Sequence, residues 1–433
     1  MSRHSAGIGV PVPPALNALV DAVRQRTGEQ RAQRVRRAID RLFGEAMVDT
    51  STITGAQTIA VITGDIPAMW LRDSTWQLRP LLAAATDHEV YEVLAAVSRQ
   101  QARYVLIDPY ANAFNLEPNG NCWHRDFPDQ SPWVFERKYE LDSLSSFLDL
   151  ALRLHRASGR SEHLDADFFA AAALAMDVIE REQHHDSATY RFRRRMSPAH
   201  DQLSHDGYGA PVAPTGMSWT GFRPSDDGCV YGYLIPSNAH ASAVLAELAR
   251  LPDALAPDVA LKQRAARLSE QIAEGIRYFG FITGADGAYY AYEVDGLGNQ
   301  LFMDDANVPS LLSLPYLGWC SNDDPTYLAT RARVLSAANP HFHNGTAGDG
   351  VGSPHTPTRH IWPIAIVVAA LTDQDADAYA RAIDVLEATD GGTGDMHESF
   401  HCDDPSRFTR PWFSWADMMY AHLVLRSSGL AFD

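Results

Sequence analysis

The sequence predicts an all-α protein whose helices close into a toroid, with short β pieces in the loops. Three observations carry that expectation. About a dozen stretches place apolar residues at three-and-four spacing. Short β-branched or aromatic runs fall between them, without the βαβ alternation of a parallel sheet. The connecting loops are rich in glycine and aromatic residues, and no solenoid-type repeat is present. Helices of similar length joined by such loops suit a closed ring better than a bundle, with the loops gathered around a pocket at one end.

Residues 1–13 are rich in glycine and proline and are expected to order only by docking. The rest of 1–433 reads as a single domain. Leu16, Leu19, Val20 and Val23 form the first apolar stripe, and Val35, Ile39, Leu42 and Phe43 the second, on an arginine-rich segment whose charges face solvent. Thr58–Thr63 is β-branched and stops at Gly64-Asp65, which predicts a short strand. Asp73 or Ser74 can cap the helix that follows Trp70. Further helices are expected over 88–107, from about 140 through Leu150, and over 161–182, 238–252, 258–279, 306–317, 325–338, 360–373, 375–389 and 411–428. Strand-like pieces are expected at Thr189–Phe192 and Ala288–Tyr292.

The 433 residues are 45% hydrophobic and 21% charged, enough apolar mass for a large core. A net charge of −18 argues against a nucleic-acid partner, which would require a basic stripe, and against an anionic membrane surface. Cys122, Cys229, Cys320 and Cys402 are widely scattered, so a zinc or iron–sulfur centre built on thiolates is not expected. The first residues lack a signal-type apolar core and no run reaches membrane-spanning length, which together with free thiols favours the cytoplasm. Nothing in the sequence fixes an oligomeric state.

The loops carry the candidate chemistry. Asp226 and Asp227 stand side by side between a Pro-Ser turn signal and a glycine. A carboxyl held there among aromatic rings is a candidate general acid, because desolvation raises its pKa. The plain alternative is an aspartate-rich turn capping the next helix. Trp70, Arg72 and Asp73 form a polar fork on an indole wall, suited to stacking a sugar ring and bonding its paired hydroxyls, or equally a core tryptophan beside an ion pair. The long polar–aromatic loop over 112–133 contains Asn115, and the segment after it offers Glu140 and Asp142 as ligand contacts. Later loops contribute Asp304, Asn307, His355, Trp412 and Trp415.

His397-Glu398-Ser399-Phe400-His401 fits the H-E-x-x-H spelling of zinc proteases. That chemistry needs both histidines on one helix. Here three glycines precede the motif, Pro405 follows, and no apolar helical stripe surrounds it, so the expectation is no metal and no cofactor. Glu398 then becomes a carboxylate in a glycine-rich aromatic loop, suited to a general base that activates water.

The blocks GDIPAMWLRDS, FERKYELDS, FRPSDDGCVYGYLIPSN, MDDANVPSLLSLPYLG, GSPHTP and MHESFHCDDPSRFTRPWFSWA resemble those of the exo-α-1,6-mannosidases of glycoside hydrolase family 125. They run from about residue 58 to 420. The resemblance implies an (α/α)6 barrel and metal-independent hydrolysis of non-reducing terminal mannose, with inversion at the anomeric carbon. It implies a mannose-containing oligosaccharide as the binding partner. It places the general acid in the R-P-S-D-D block, with Asp226 favoured and Asp227 the alternative. It makes Glu398 the base and assigns Arg72 and Asp73 to the sugar pocket, while Trp70, Trp412 and Trp415 offer stacking faces. The rivals are another helical-barrel glucosidase or phosphorylase, and a carbohydrate-binding protein without turnover.

Overall fold

Helices with one apolar stripe lie outside helices that are buried nearly all round. The computed structural model describes residues 9–195, 198–256, 259–285 and 287–432. These form twelve helices of seven residues or more: α1 (Pro14–Thr27), α2 (Glu29–Arg41), α3 (Leu71–Gln77), α4 (His88–Ile107), α5 (Leu141–Ser158), α6 (Ala166–Glu182), α7 (Ile235–Ala249), α8 (Val259–Phe279), α9 (Pro325–Val334), α10 (Pro363–Leu371), α11 (Ala378–Ala388) and α12 (Ser414–Ser427). Helix α2 buries Ala32, Val35, Ala38 and Ile39 and turns its arginines outward, as an outer helix should. Every residue of α3 is buried, and so are Pro363–Val368 of α10 and Ser414–Leu425 of α12. A helix buried on all sides belongs to an inner layer.

The inner helices form one continuous row. α10 packs on α12, α12 on α3, α3 on α5 and α5 on α7. Outside them, α2 backs α12, α4 and α6 pair behind α5, α8 backs α7, and α11 covers α10 and α12. Short antiparallel strands lead into the inner helices. Met69–Trp70 enters α3 and pairs with Ala113–Phe114, which pairs in turn with Val134–Glu136. Tyr233–Leu234 enters α7 against Glu293–Val294, and His360–Ile361 precedes α10 against Ser399–His401. The strands thus fix the loops at the N-terminal ends of the inner helices.

Three expectations need correction, the first being the cap: Asp73 and Ser74 lie inside α3, whose N-cap is Trp70 with no side-chain hydrogen bond. Residues 306–317 are turns, not a helix. Pro309 and Pro315 remove backbone donors, and the Asp304 carboxylate takes the N–H groups of Leu311 and Leu312 at 2.8 and 3.0 Å. Asp304 is therefore a turn-holding residue, and burial pushes its carboxyl up to about 8. The strand expected at Thr189–Phe192 falls instead at Arg193–Arg194, paired with Asp126–Phe127 through ion pairs of Arg194 rather than through β propensity. At the N-terminus, residues 1–8 of the expected loose segment lie outside the described residues, while Val10 docks its N–H on the Phe43 carbonyl at 2.9 Å. No helix among the described residues is long and apolar enough to cross a membrane.

Candidate active site

The N-terminal ends of α3, α10 and α12 converge on a cavity of about 390 Å³, lined among others by Trp70, Arg72, Asp73, Asp226, Glu398 and Arg410. Asp226 reaches it from a tight turn. Its own N–H bonds the Arg223 carbonyl at 2.9 Å, Arg223 N–H bonds the Asp227 carbonyl at 2.8 Å, and Asp226 adopts φ 68°. That left-handed conformation is uncommon outside glycine, and aspartate is among the residues that tolerate it. Lys138 clamps the turn by donating to the Asp226 carbonyl at 2.7 Å.

Behind the cavity wall lies a dense charge network. Arg72, 2% exposed, donates to Glu140 and, at 3.2 Å, to Asp142, with Asp73 and Asp226 at 3.6 and 3.7 Å. Asn112 Nδ2 has two N–H groups but three carboxylate oxygens within 3.1 Å, on Glu136, Glu140 and Asp226. Glu140 and Asp226 thus share one amide donor, and the Asp226 charge adds to the burial that disfavours ionisation of Glu140. Burial raises Glu140 well above the usual carboxylate range. Burial also opposes ionisation of Asp226, but Lys138 and Arg72 hold it below that range. Of the two carboxyls, Glu140 is thus the one that favours the protonated form. Burial pushes Asp73 up to about 6, against the pull of Arg72.

Glu398 lines the same cavity from a different loop. It precedes the strand Ser399–His401, and Arg410 Nη1 lies 3.5 Å from its Oε1. Arg410 is itself held by Asp65, at 3.1 Å to each carboxylate oxygen through Nε. His397 and His401 do not share a helix face. His397 stacks on Phe408 at 3.6 Å, with its ring nitrogens 3.0 Å from the Pro411 carbonyl and 3.2 Å from the Asp390 carbonyl. The H-E-x-x-H spelling therefore does not build the zinc geometry.

Residues 32–425 match the family described as metal-independent alpha-mannosidase (GH125). The chain belongs to glycoside hydrolase family 125. It is 39% identical over 416 residues to the meiotically up-regulated gene 157 protein of Schizosaccharomyces pombe, covering 89% of this chain and 81% of that one. Among solved structures, a metal-independent α-mannosidase of Streptococcus pneumoniae, in a non-productive complex with α-1,6-mannobiose, superposes with a TM-score of 0.93. It is 43% identical and covers 96% of this chain and 99% of its own. A bacterial glucoamylase complexed with acarbose shares the fold at a TM-score of 0.58 and 16% identity, over 88% of this chain and 55% of that one. The protein is thus a metal-independent α-mannosidase with the helical architecture of such glycosidases.

In this mannosidase the sequence-derived candidates divide into two groups. Asp226, Glu398, Trp70, Arg72, Asp73, Asn307, His355 and Trp415 line the cavity. Glu140 and Asp142 stand behind Arg72 and do not line it. Asp227, 1% exposed, is turned to the rear and bonds His355 Nδ1 at 3.2 Å. Burial lowers the His355 pKa, but Asp227 and then Asp226 push it up to about 9. Asn115 ties its loop together, donating to the Asn121 and Pro132 carbonyls at 2.9 and 3.0 Å. Trp412 packs against Gly64 and under the Arg41 guanidinium, 4.1 Å from the ring centroid, so it is not a cavity face. Sequence reasoning missed Lys138, Arg410 and the Arg194–Glu136–Asp201 cluster as parts of the wall. Lys138 and Arg410 stand inside the quoted blocks, but only contacts across the chain reveal their partners.

Proposed function

We propose that this mannosidase is exo-acting, removes α-1,6-linked mannose from non-reducing ends and inverts the anomeric configuration, with Asp226 as general acid and Glu398 as general base. The observation that carries this reading is the placement of the two carboxylates on separate loops of one cavity that also holds the Arg72–Asp73 fork. The linkage is supported by the α-1,6-mannobiose bound to the Streptococcus pneumoniae relative. Trp70 Nε1 and Asp73 Oδ2 have no hydrogen-bond partner among the described residues, as expected of a wall prepared for a hydroxylated ligand.

In this mechanism the proton held on Glu140 passes to Asp226 and from Asp226 to the glycosidic oxygen as its bond to the anomeric carbon breaks. Glu398 takes a proton from the water that bonds the anomeric carbon on the opposite sugar face. An inverting pair needs about 6.5–9.5 Å between carboxyl groups to hold that water. The chain acts as one catalytic domain, an (α/α)6 barrel in which the turn segment 306–317 stands where a sixth inner helix would. A cytoplasmic setting is in keeping with four unpaired cysteines. Proton NMR of α-1,6-mannobiose turnover, with and without EDTA, for wild type and Glu398→Ala, tests the reading. EDTA-resistant release of β-mannose, abolished in the variant, supports it. First release of α-mannose would refute inversion.

A further inference from the structure

A second cavity, of about 540 Å³, opens at the other end of the inner helices. Its wall is drawn from the C-terminal halves of α5, α7 and α12, the turn after α3, and residues 315–318. It shares no lining residue with the sugar cavity. Five arginines face it against two carboxylates, Asp149 and Glu247, among the described residues, in a chain of net charge −18. Part of that positive charge answers the carbonyl ends of the converging helices, which carry partial negative charge. Arg79 is not accounted for in that way.

Arg79 is 5% exposed, and its Nε and Nη1 have no hydrogen-bond partner among the described residues. Asp149 is the nearest carboxylate, at 3.5 Å, but it is already gripped by Arg153 at 2.7 and 2.9 Å. The Tyr316 ring lies under the Arg79 guanidinium at 4.9 Å, and the Tyr316 hydroxyl is also without a partner. Burial and the neighbouring Arg153 pull Arg79 down to about 10. Burial, Arg79, Arg426 and Arg153 keep His422 well below its ordinary value. Burial is the larger cause of both shifts, with the neighbouring arginines adding to it. A buried guanidinium with open N–H positions is costly without an acceptor.

We propose that this cavity is an anion site that takes a tetrahedral oxyanion of the phosphate class, free or carried on a small organic molecule, with the buried Arg79 and the partly buried Tyr316 as ligands. Donors from the turn after α3, from α5 and from the 306–317 segment approach from separate directions, which suits a tetrahedral anion. Guanidinium forks are the usual partners of phosphate oxygens.

The test is isothermal titration of the full chain with inorganic phosphate and with glycerol 3-phosphate, against sodium chloride and glycerol as controls. Expected is saturable binding of at least one phosphate probe, weakened about tenfold or more by Arg79→Gln and several-fold by Tyr316→Phe. Preference for glycerol 3-phosphate over inorganic phosphate would identify an organic phosphate as the ligand, and the reverse a free one. Mannosidase activity of Tyr316→Phe should equal that of wild type. No saturable heat with either probe up to about 10 mM would overturn the proposal. So would an affinity that survives both substitutions. Should Arg79→Gln not fold, the conservative Tyr316→Phe decides, and unchanged phosphate affinity in that variant overturns the site.

Discussion

Glu140→Gln is expected to separate Asp226 from its proton store while keeping the shape of the wall. The variant's amide oxygen can still accept from Arg72, but its NH2 group then faces the Asn112 and Asp226 side and carries no transferable proton. Lys138 and Arg72 then leave Asp226 ionised. Positioned general acids contribute on the order of 10²–10⁴-fold, about 2.7–5.5 kcal/mol of barrier at 1.36 kcal/mol per decade. The loss should fall on kcat/KM for α-1,6-mannobiose, whose leaving alcohol needs a proton. A 2,4-dinitrophenyl α-mannoside departs without one and should lose less than about tenfold. The pH profile provides a second reading. In wild type the alkaline limb reports loss of the shared proton, which burial of Glu140 keeps on to higher pH. In the variant only Asp226 titrates, below the usual carboxylate range, so the limb moves to lower pH. Steady-state kinetics of both substrates between pH 4 and 9 decide it. Equal losses on the two substrates with an unmoved limb would refute the shared-proton argument and leave Glu140 as a support for Arg72.

Glu398→Ala should reduce turnover of mannobiose and of the activated mannoside alike, by about 10²-fold or more, and azide should restore product formation; absence of azide rescue would count against Glu398 as the base. His355 has a folded-state pKa of about 9, above the unfolded value of about 6.5. Its stabilising term is therefore full below about pH 6.5 and lost as pH rises through 9, so Tm should fall over that window in wild type and fall less in His355→Gln. Gly232→Ala places a Cβ 1.9 Å from the ring of the buried Trp219, and urea unfolding should register a loss of about 1–3 kcal/mol. Activity should be unchanged after EDTA dialysis, as befits a metal-independent family.

Periodicity alone reached most of the helices, because burying one stripe of a helix constrains sequence at three-and-four spacing whatever surrounds it. α4 and α8 appear where their apolar stripes predict them, to within a residue or so. It failed at 306–317, where an apolar run between two prolines has its backbone donors taken by Asp304, a competition that spacing does not encode. The site divides along the same line. Asp226 and Glu398 were legible because each stands in a loop whose polar and aromatic composition has no use in a core, and Arg72 and Asp73 because a charged pair directly after Trp70 is out of place in an apolar helix start. Glu140, Asp142 and Asp227 look equivalent to them in sequence, yet the fold turns them away from the cavity and makes them partners of Arg72 and His355. The sequence determined which carboxylates are present and on which loops. Only the tertiary structure decided which line the cavity, which lie behind Arg72 and which bonds His355, because burial and hydrogen-bond partners depend on neighbours distant along the chain. The arginine-lined second cavity belongs wholly to that second category: its residues sit at the far ends of separate helices, and nothing short of the packed inner row brings them together.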